Sequence, residues 1–211
     1  MELIYKLKYR IMENVEKEFT PEESLQLISQ IITKARRNIK IAGFFFILWG
    51  WVTVFAALTC FFIIKYFCSI HLYKYIDLGT WMAWLIPIFI GCVISIIHGN
   101  KLKRIERAKS QIGSIIQVLW FSNAIVLTLA GFISYKLKFY PAPLILIIIG
   151  LSTYMTGYII KFNPLKYGGI IFWISGILSV FILNEYQLVL TAVSIVLGYL
   201  VPGYLLKHSK D

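Results

Sequence analysis

The sequence predicts an all-α membrane protein: a bundle of about six transmembrane helices preceded by a cytoplasmic amphipathic helix. Three observations predict it. Hydrophobic residues make up 59% of the 211 residues, with a mean hydropathy of +0.76, and the excess lies in long blocks rather than in the patterning of a soluble core. Most of those blocks carry no Asp, Glu, Lys or Arg over the ~20 residues needed to cross a hydrocarbon core. The basic residues that bring the net charge to +11 cluster beside the blocks, as they do in loops on the cytoplasmic side of a membrane.

Residues 1–40 form the cytoplasmic N-terminal region. In Met1 to Phe19, Leu3, Tyr5, Leu7, Tyr9 and Ile11 alternate with Lys6, Lys8 and Arg10, which is strand periodicity. The same residues give a rougher helical stripe through Ile4, Leu7, Ile11 and Val15. A lone strand has no partner for its backbone, so a frayed or surface-lying helix is expected, with partial disorder as the other outcome. The next stretch has a start signal. Thr20 is placed to cap, Pro21 suits the first helical position, and Glu23 completes a capping box. From about residue 21 to 40, Leu25, Ile28, Ile32, Ala35 and Ile39 fall on one face at 100° per residue. Gln26, Ser29, Gln30, Thr33, Arg36, Arg37 and Lys40 fall on the other. The face of Leu25, Ile28, Ile32 and Ile39 is the candidate interaction surface.

The transmembrane domain covers 41–206, with spans at about 41–64, 78–98, 115–135, 143–160, 168–183 and 188–206, and a cytoplasmic tail at 207–211. The fifth block is short and reads as a tilted or re-entrant element. Asn163-Pro164 and Tyr140-Pro141-Ala142-Pro143 mark turns, while Pro87 and Pro202 fall inside spans, where they kink helices. No internal repeat is evident. With the N-terminus inside, the inside segments carry 17 Lys and Arg and the outside loops carry 4. That asymmetry puts both termini in the cytoplasm.

Chemistry inside the membrane usually shows as ionisable residues at depth, because burying them is costly. The six spans contain no Asp, Glu, Lys or Arg, which argues against a proton-coupled antiporter and against an intramembrane aspartyl or metalloprotease. The three cysteines, Cys60, Cys68 and Cys92, form no CxxC and share no ligand spacing with histidine, so neither a disulfide framework nor a metal site is expected. No catalytic residue and no cofactor is assigned. His98 reads as an interfacial residue. Asn123, the one carboxamide well inside a span, reads as a helix–helix hydrogen-bonding group with a polar cavity as the alternative.

Trp49-Gly50-Trp51 lies about 12–15 Å into the first span at 1.5 Å per residue. Trp49 and Trp51 therefore need partners for their indole N–H groups, and Gly50 admits a neighbouring helix. Small residues recur four apart at Ser152/Thr156, Thr153/Gly157, Ser175/Ser179 and Ser194/Gly198, the spacing of closely packed membrane helices. Lys101, Lys103, Arg104, Arg107 and Lys109 form a basic loop without a Gly-rich phosphate cradle. They point to anionic lipid headgroups of the bilayer, not to nucleic acid.

Glu23-Ser24-Leu25, Ile28, Ile31-Ile32, Ala35-Arg36, Gly43 and Leu48-Trp49-Gly50-Trp51 resemble a motif of a family of uncharacterised bacterial multi-spanning inner-membrane proteins. That motif reads approximately ESLxxIxxMIxxAK, a Gly, then LLWGW at the first span. The likeness covers about thirty residues; Ile32 stands where the motif has Met and Arg36 where it has Lys. It implies a location in the bacterial inner membrane, no established activity, and, through frequent neighbouring small winged-helix regulators, a link to regulation. The residues themselves point to a non-enzymatic interaction or regulatory membrane component, with a protein partner or self-association through the N-terminal helix. A small transporter or channel for an uncharged solute, lined by Asn123, Trp49 and Trp51, is the alternative.

Overall fold

A computed structural model describes residues 21–105 and 111–208, with side chains for Leu25, Gln26, 42–101 and 112–208. The expectations for Met1 to Phe19, the Thr20 cap and the centre of the basic loop lie outside the described residues. Among those residues the chain is helical and contains no strand. The elements are α1 (Pro21–Ser69), a 3-10 turn (Tyr73–Tyr75), α2 (Ile76–Ile105), α3 (Gln111–Leu137), α4 (Ala142–Ile159), α5 (Asn163–Ser179) and α6 (Tyr186–His208). Within α6, Val196–Leu200 forms a π turn.

The chain divides into two compact units at Asn38–Ile39. In the first, the described backbone is helical from Pro21, and Leu25 and Gln26 are exposed. The second holds five helical segments long and apolar enough to cross a membrane: Ala42–Ser69, Tyr73–Lys101, Ile112–Leu137, Ala142–Ile159 and Tyr186–His208. They make this a multi-pass membrane protein.

The element expected at 168–183 is shifted. Helix α5 starts at Asn163 because Pro164 suits a first turn and Phe162 is extended (φ −115°, ψ 104°); it ends at Ser179. Its 17 residues reach about 25 Å, short of a hydrocarbon core of ~30 Å. Three helices stop the same way. His71, Lys138 and Lys161 adopt left-handed backbone (φ 57°, 54° and 55°). The following amide in each case reaches back to a carbonyl of the last turn, as in Phe139 N to Ser134 O (3.1 Å) and Phe162 N to Gly157 O (2.9 Å). This closes otherwise orphaned carbonyls.

Burial separates inner from outer helices. Only 11% of the apolar window is buried in α2 and in α3, against 39% in the spanning part of α1, 44% in α4 and 56% in α6. The core is built from Phe46, Val54, Leu146, Leu165, Phe172 and Ile195, among others, so α1, α4, α5 and α6 form the centre. Short α5 belongs to it: Leu165 and Phe172 are fully buried.

Glycines bring these four helices together. A Cβ on Gly150 would lie 3.0 Å from the Gly169 carbonyl oxygen, and one on Gly169 would lie 2.8 Å from that of Gly150. Gly157 and Gly176 continue the same antiparallel α4–α5 seam, one against Lys166 N and the other against Ile147. Between α5 and α6, a Cβ on Gly168 would lie 2.5 Å from the Gly198 carbonyl oxygen. Between α6 and α1, Gly43 meets the Gly203 carbonyl and Gly50 meets the Leu200 side chain.

The tightest of these crossings is testable. Gly168→Ala places a methyl against backbone that cannot swing aside, and should cost about 1–3 kcal/mol of unfolding free energy. Gly131→Ala on α3, where a Cβ meets nothing within 4 Å, should be neutral or stabilising by up to about 1 kcal/mol, since alanine is the better helix former. Reversible unfolding in mixed micelles measures both; equal effects would show that the crossing is not tight.

Candidate functional site

The polar interior begins with the π turn. Pro202 has no amide to offer the carbonyl four residues back, and its ring crowds that carbonyl, which belongs to Gly198. The helix opens there instead, and Val201 N bonds Val196 O five residues back. The Gly198 carbonyl then faces Gly168. The next residue, Tyr199, is 4% exposed and projects into the bundle. Its ring meets Phe46 (centroids 5.3 Å), Phe172 (5.0 Å) and Trp120 (6.1 Å), all edge-on. Its hydroxyl is buried and lacks a hydrogen-bond partner. The Thr153 hydroxyl beside it spends its proton on the Ile149 carbonyl at 2.7 Å.

Asn123 is buried at the α3–α4 contact, where the Ser152 hydroxyl donates to its Oδ1 at 2.7 Å. One turn away, Trp120 Nε1 donates to the Thr156 hydroxyl (3.2 Å). Thr156, Thr191 and Ser194 all donate to carbonyls four residues back on their own helices. Of the small residues marked in the sequence, Thr153, Thr156, Ser179 and Ser194 are thus hydroxyls bonded to their own helices, while Ser152 reaches across to Asn123. No Asp, Glu, Lys, Arg or His is buried among the described residues, and no three His, Cys, Asp or Glu side chains gather there as a metal site.

The tryptophan triplet points three ways. Trp49 is half-buried, and a Cβ on Gly91 of α2 would lie 3.6 Å from its ring. Gly50 is buried under Leu200. Trp51 is 42% exposed and donates through Nε1 to the Tyr204 hydroxyl at 3.2 Å. Between Trp51 and α6 runs a shallow open groove of about 560 Å³, lined along α6 by Val196, Leu200, Tyr204 and His208, with Val201 and Leu205 beside them. The structure thus does not gather Trp49, Trp51 and Asn123 around one path.

The two ends of the bundle are fastened differently. At one, His98 stacks on Phe44 (centroids 3.9 Å, planes 19° apart), joining α2 to α1. At the other, Lys65 bonds Glu185 at 2.7 Å and lies 4.8 Å from the centre of the Tyr186 ring. Tyr140, in the turn after α3, lies near the same end. Burial pushes its phenol above the ordinary value, and the nearby Cys60 and Glu185 add to the shift. Sequence reading missed Tyr199 and the Lys65–Glu185 pair. Pro202, four residues after Gly198, is the signal that could have found the former. Comparison with protein-family models, curated proteins and solved structures gives no match.

Two substitutions probe this interior. A double-mutant cycle on Asn123→Ala and Ser152→Ala should give a coupling of about 0.6–1.7 kcal/mol; zero coupling would mean the bond does not form. Tyr199→Phe removes a hydroxyl with no partner, so stability should be unchanged or raised by up to about 1 kcal/mol. A marked loss would reveal a partner for it.

Proposed function

We propose that this protein is a non-enzymatic interaction or regulatory component of a bacterial cytoplasmic membrane. Both termini lie in the cytoplasm, and the face of Leu25, Ile28, Ile32 and Ile39 carries contact with a protein partner, a second copy or the membrane surface. The observation that carries this reading is the interior of the transmembrane unit. Thr153, Thr156, Thr191 and Ser194 bond to their own helices and Ser152 to Asn123, and no acid, base or metal cluster is buried among the described residues. Chemistry needs an activated group and ion coupling needs buried charge. The surface left for work is the two-faced N-terminal helix, where Leu25 is 66% exposed. The side chains of Ile28, Ile32 and Ile39 lie outside the described residues, and they join Leu25 by their spacing alone.

The 17-to-4 partition of Lys and Arg supports the orientation. The likeness of Glu23 to Trp51 to a bacterial inner-membrane family supports the location. The solute-path alternative finds less support, since Asn123 is bonded to Ser152 and Gly50 is covered by Leu200.

Burying one isoleucine contributes about 1.5–3 kcal/mol, so Ile28→Ser with Ile32→Ser should weaken contact on the order of a hundred-fold or more. The readouts are surface protection of residues 20–40 in vesicles, oligomeric mass in detergent, and cross-linked partners in cells. At least one should be lost. No change in any of the three would sink the proposal.

A further inference from the structure

We propose that the groove between Trp51 and α6 binds one anionic phospholipid, with an acyl chain along its floor and the headgroup phosphate at His208 and Lys207. The dimensions suit that occupant. From Val196 to His208 the lined stretch of α6 rises about 18 Å at 1.5 Å per residue, close to the ~15 Å of one leaflet of hydrocarbon. The lining is apolar up to its last turn, where the uncharged run of α6 ends at Lys207 and His208, both exposed. A chain followed by a negative headgroup meets that profile end to end.

The polar groups at this end have donors to spare. Trp51 Nε1 donates to the Tyr204 hydroxyl, so the proton of that hydroxyl is left to point outward. His208 Nδ1 lies 3.0 Å from the Tyr204 carbonyl oxygen. A carbonyl only accepts, so Nδ1 is the donor in that contact. Lys207, the residue before His208 and exposed like it, adds the one full positive charge of that last turn. A neutral zwitterionic lipid would fill the same groove but satisfy this cluster less well. The site does not depend on the N-terminal helix face and stands or falls separately from it.

The experiment uses the full chain in phosphatidylcholine vesicles with a low fraction of lipid brominated on its acyl chains. The brominated lipid is either phosphatidylglycerol or phosphatidylcholine. Bromine quenches a nearby indole, and subtracting the Trp51→Phe variant isolates the Trp51 share of the emission. Trp51 should report a preference of about five-fold for phosphatidylglycerol, the expected effect of one basic charge at a membrane surface. Lys207→Gln with His208→Gln, at exposed positions where folding is not at risk, should abolish the preference. Val201→Phe should lower quenching by both lipids. Soluble glycerol phosphate should not compete. Equal quenching by the two lipids, a preference that survives the double substitution, or full competition by glycerol phosphate would overturn the proposal. So would a fall in oligomeric mass with Val201→Phe and no lipid preference, which would identify a second copy as the occupant.

Discussion

At the α5–α6 crossing a backbone carbonyl occupies the place where a side chain would begin, and the centre of the molecule depends on that contact. Helices in hydrocarbon gain little from hiding apolar surface, since the lipid is equally apolar. They associate through close packing and polar contact. Gly168 lets the Gly198 carbonyl approach to 2.5 Å from a would-be Cβ, and looser approaches of the same kind join Gly150 to Gly169 (2.8 Å) and Gly43 to Gly203 (3.2 Å). The contact also answers a second requirement. Pro202 removes the amide that would have bonded the Gly198 carbonyl, and lipid cannot supply another. Turning that carbonyl inward, against the Cα of Gly168, keeps it out of hydrocarbon and gives it a weak C–H donor. The proline, the π turn and the paired glycines are one solution to one constraint.

The spans were legible because each is a long block without charge, and α2, α3, α4 and α6 begin and end within a few residues of where charge and proline place them, apart from the end of α2. Their arrangement was not legible. Helices α1 and α2 are equally apolar, yet α2 has 11% of its window buried and α1 has 39%. Hydropathy separates protein interior from water and cannot separate it from lipid. The distinguishing signal was in the small residues. Ser152, Thr153, Thr156, Gly157, Ser175, Ser179, Ser194 and Gly198 are all buried, and they sit on the three helices with the closest crossings. The bounds of α5 were misplaced because Asn163-Pro164 was read as a turn, when the proline is the helix's own first turn.

Asn123 illustrates how far a single polar residue in a span can be read. Its carboxamide has to find a partner once inside lipid, and Ser152 supplies one. Which helix would supply it could not be known, because that depends on the α3–α4 register. Tyr199 shows the opposite limit. Pro202, three residues on, marks where α6 opens but not which side chain the opening turns inward, and Tyr199 becomes central only because the π turn carries it among Phe46, Trp120 and Phe172. Its hydroxyl stays unpartnered, so the ring contributes by packing and the oxygen is tolerated.

The Trp49-Gly50-Trp51 triplet ties the core to the outer surface. A Cβ on Gly50 would lie 2.6 Å from Leu200 Cδ2, so the missing side chain is what lets Leu200 sink. Leu200 ends the π turn and is 4% exposed, yet it is also the floor of the groove beside Trp51. The depth of the groove is therefore set by the same local opening of α6 that brings Tyr199 inward. Gly50 below and Trp51, held to Tyr204 at the side, set the floor and the wall of the groove. One short motif of the first span thus does two things: its glycine seats α6, and its second tryptophan walls the surface that seating leaves behind.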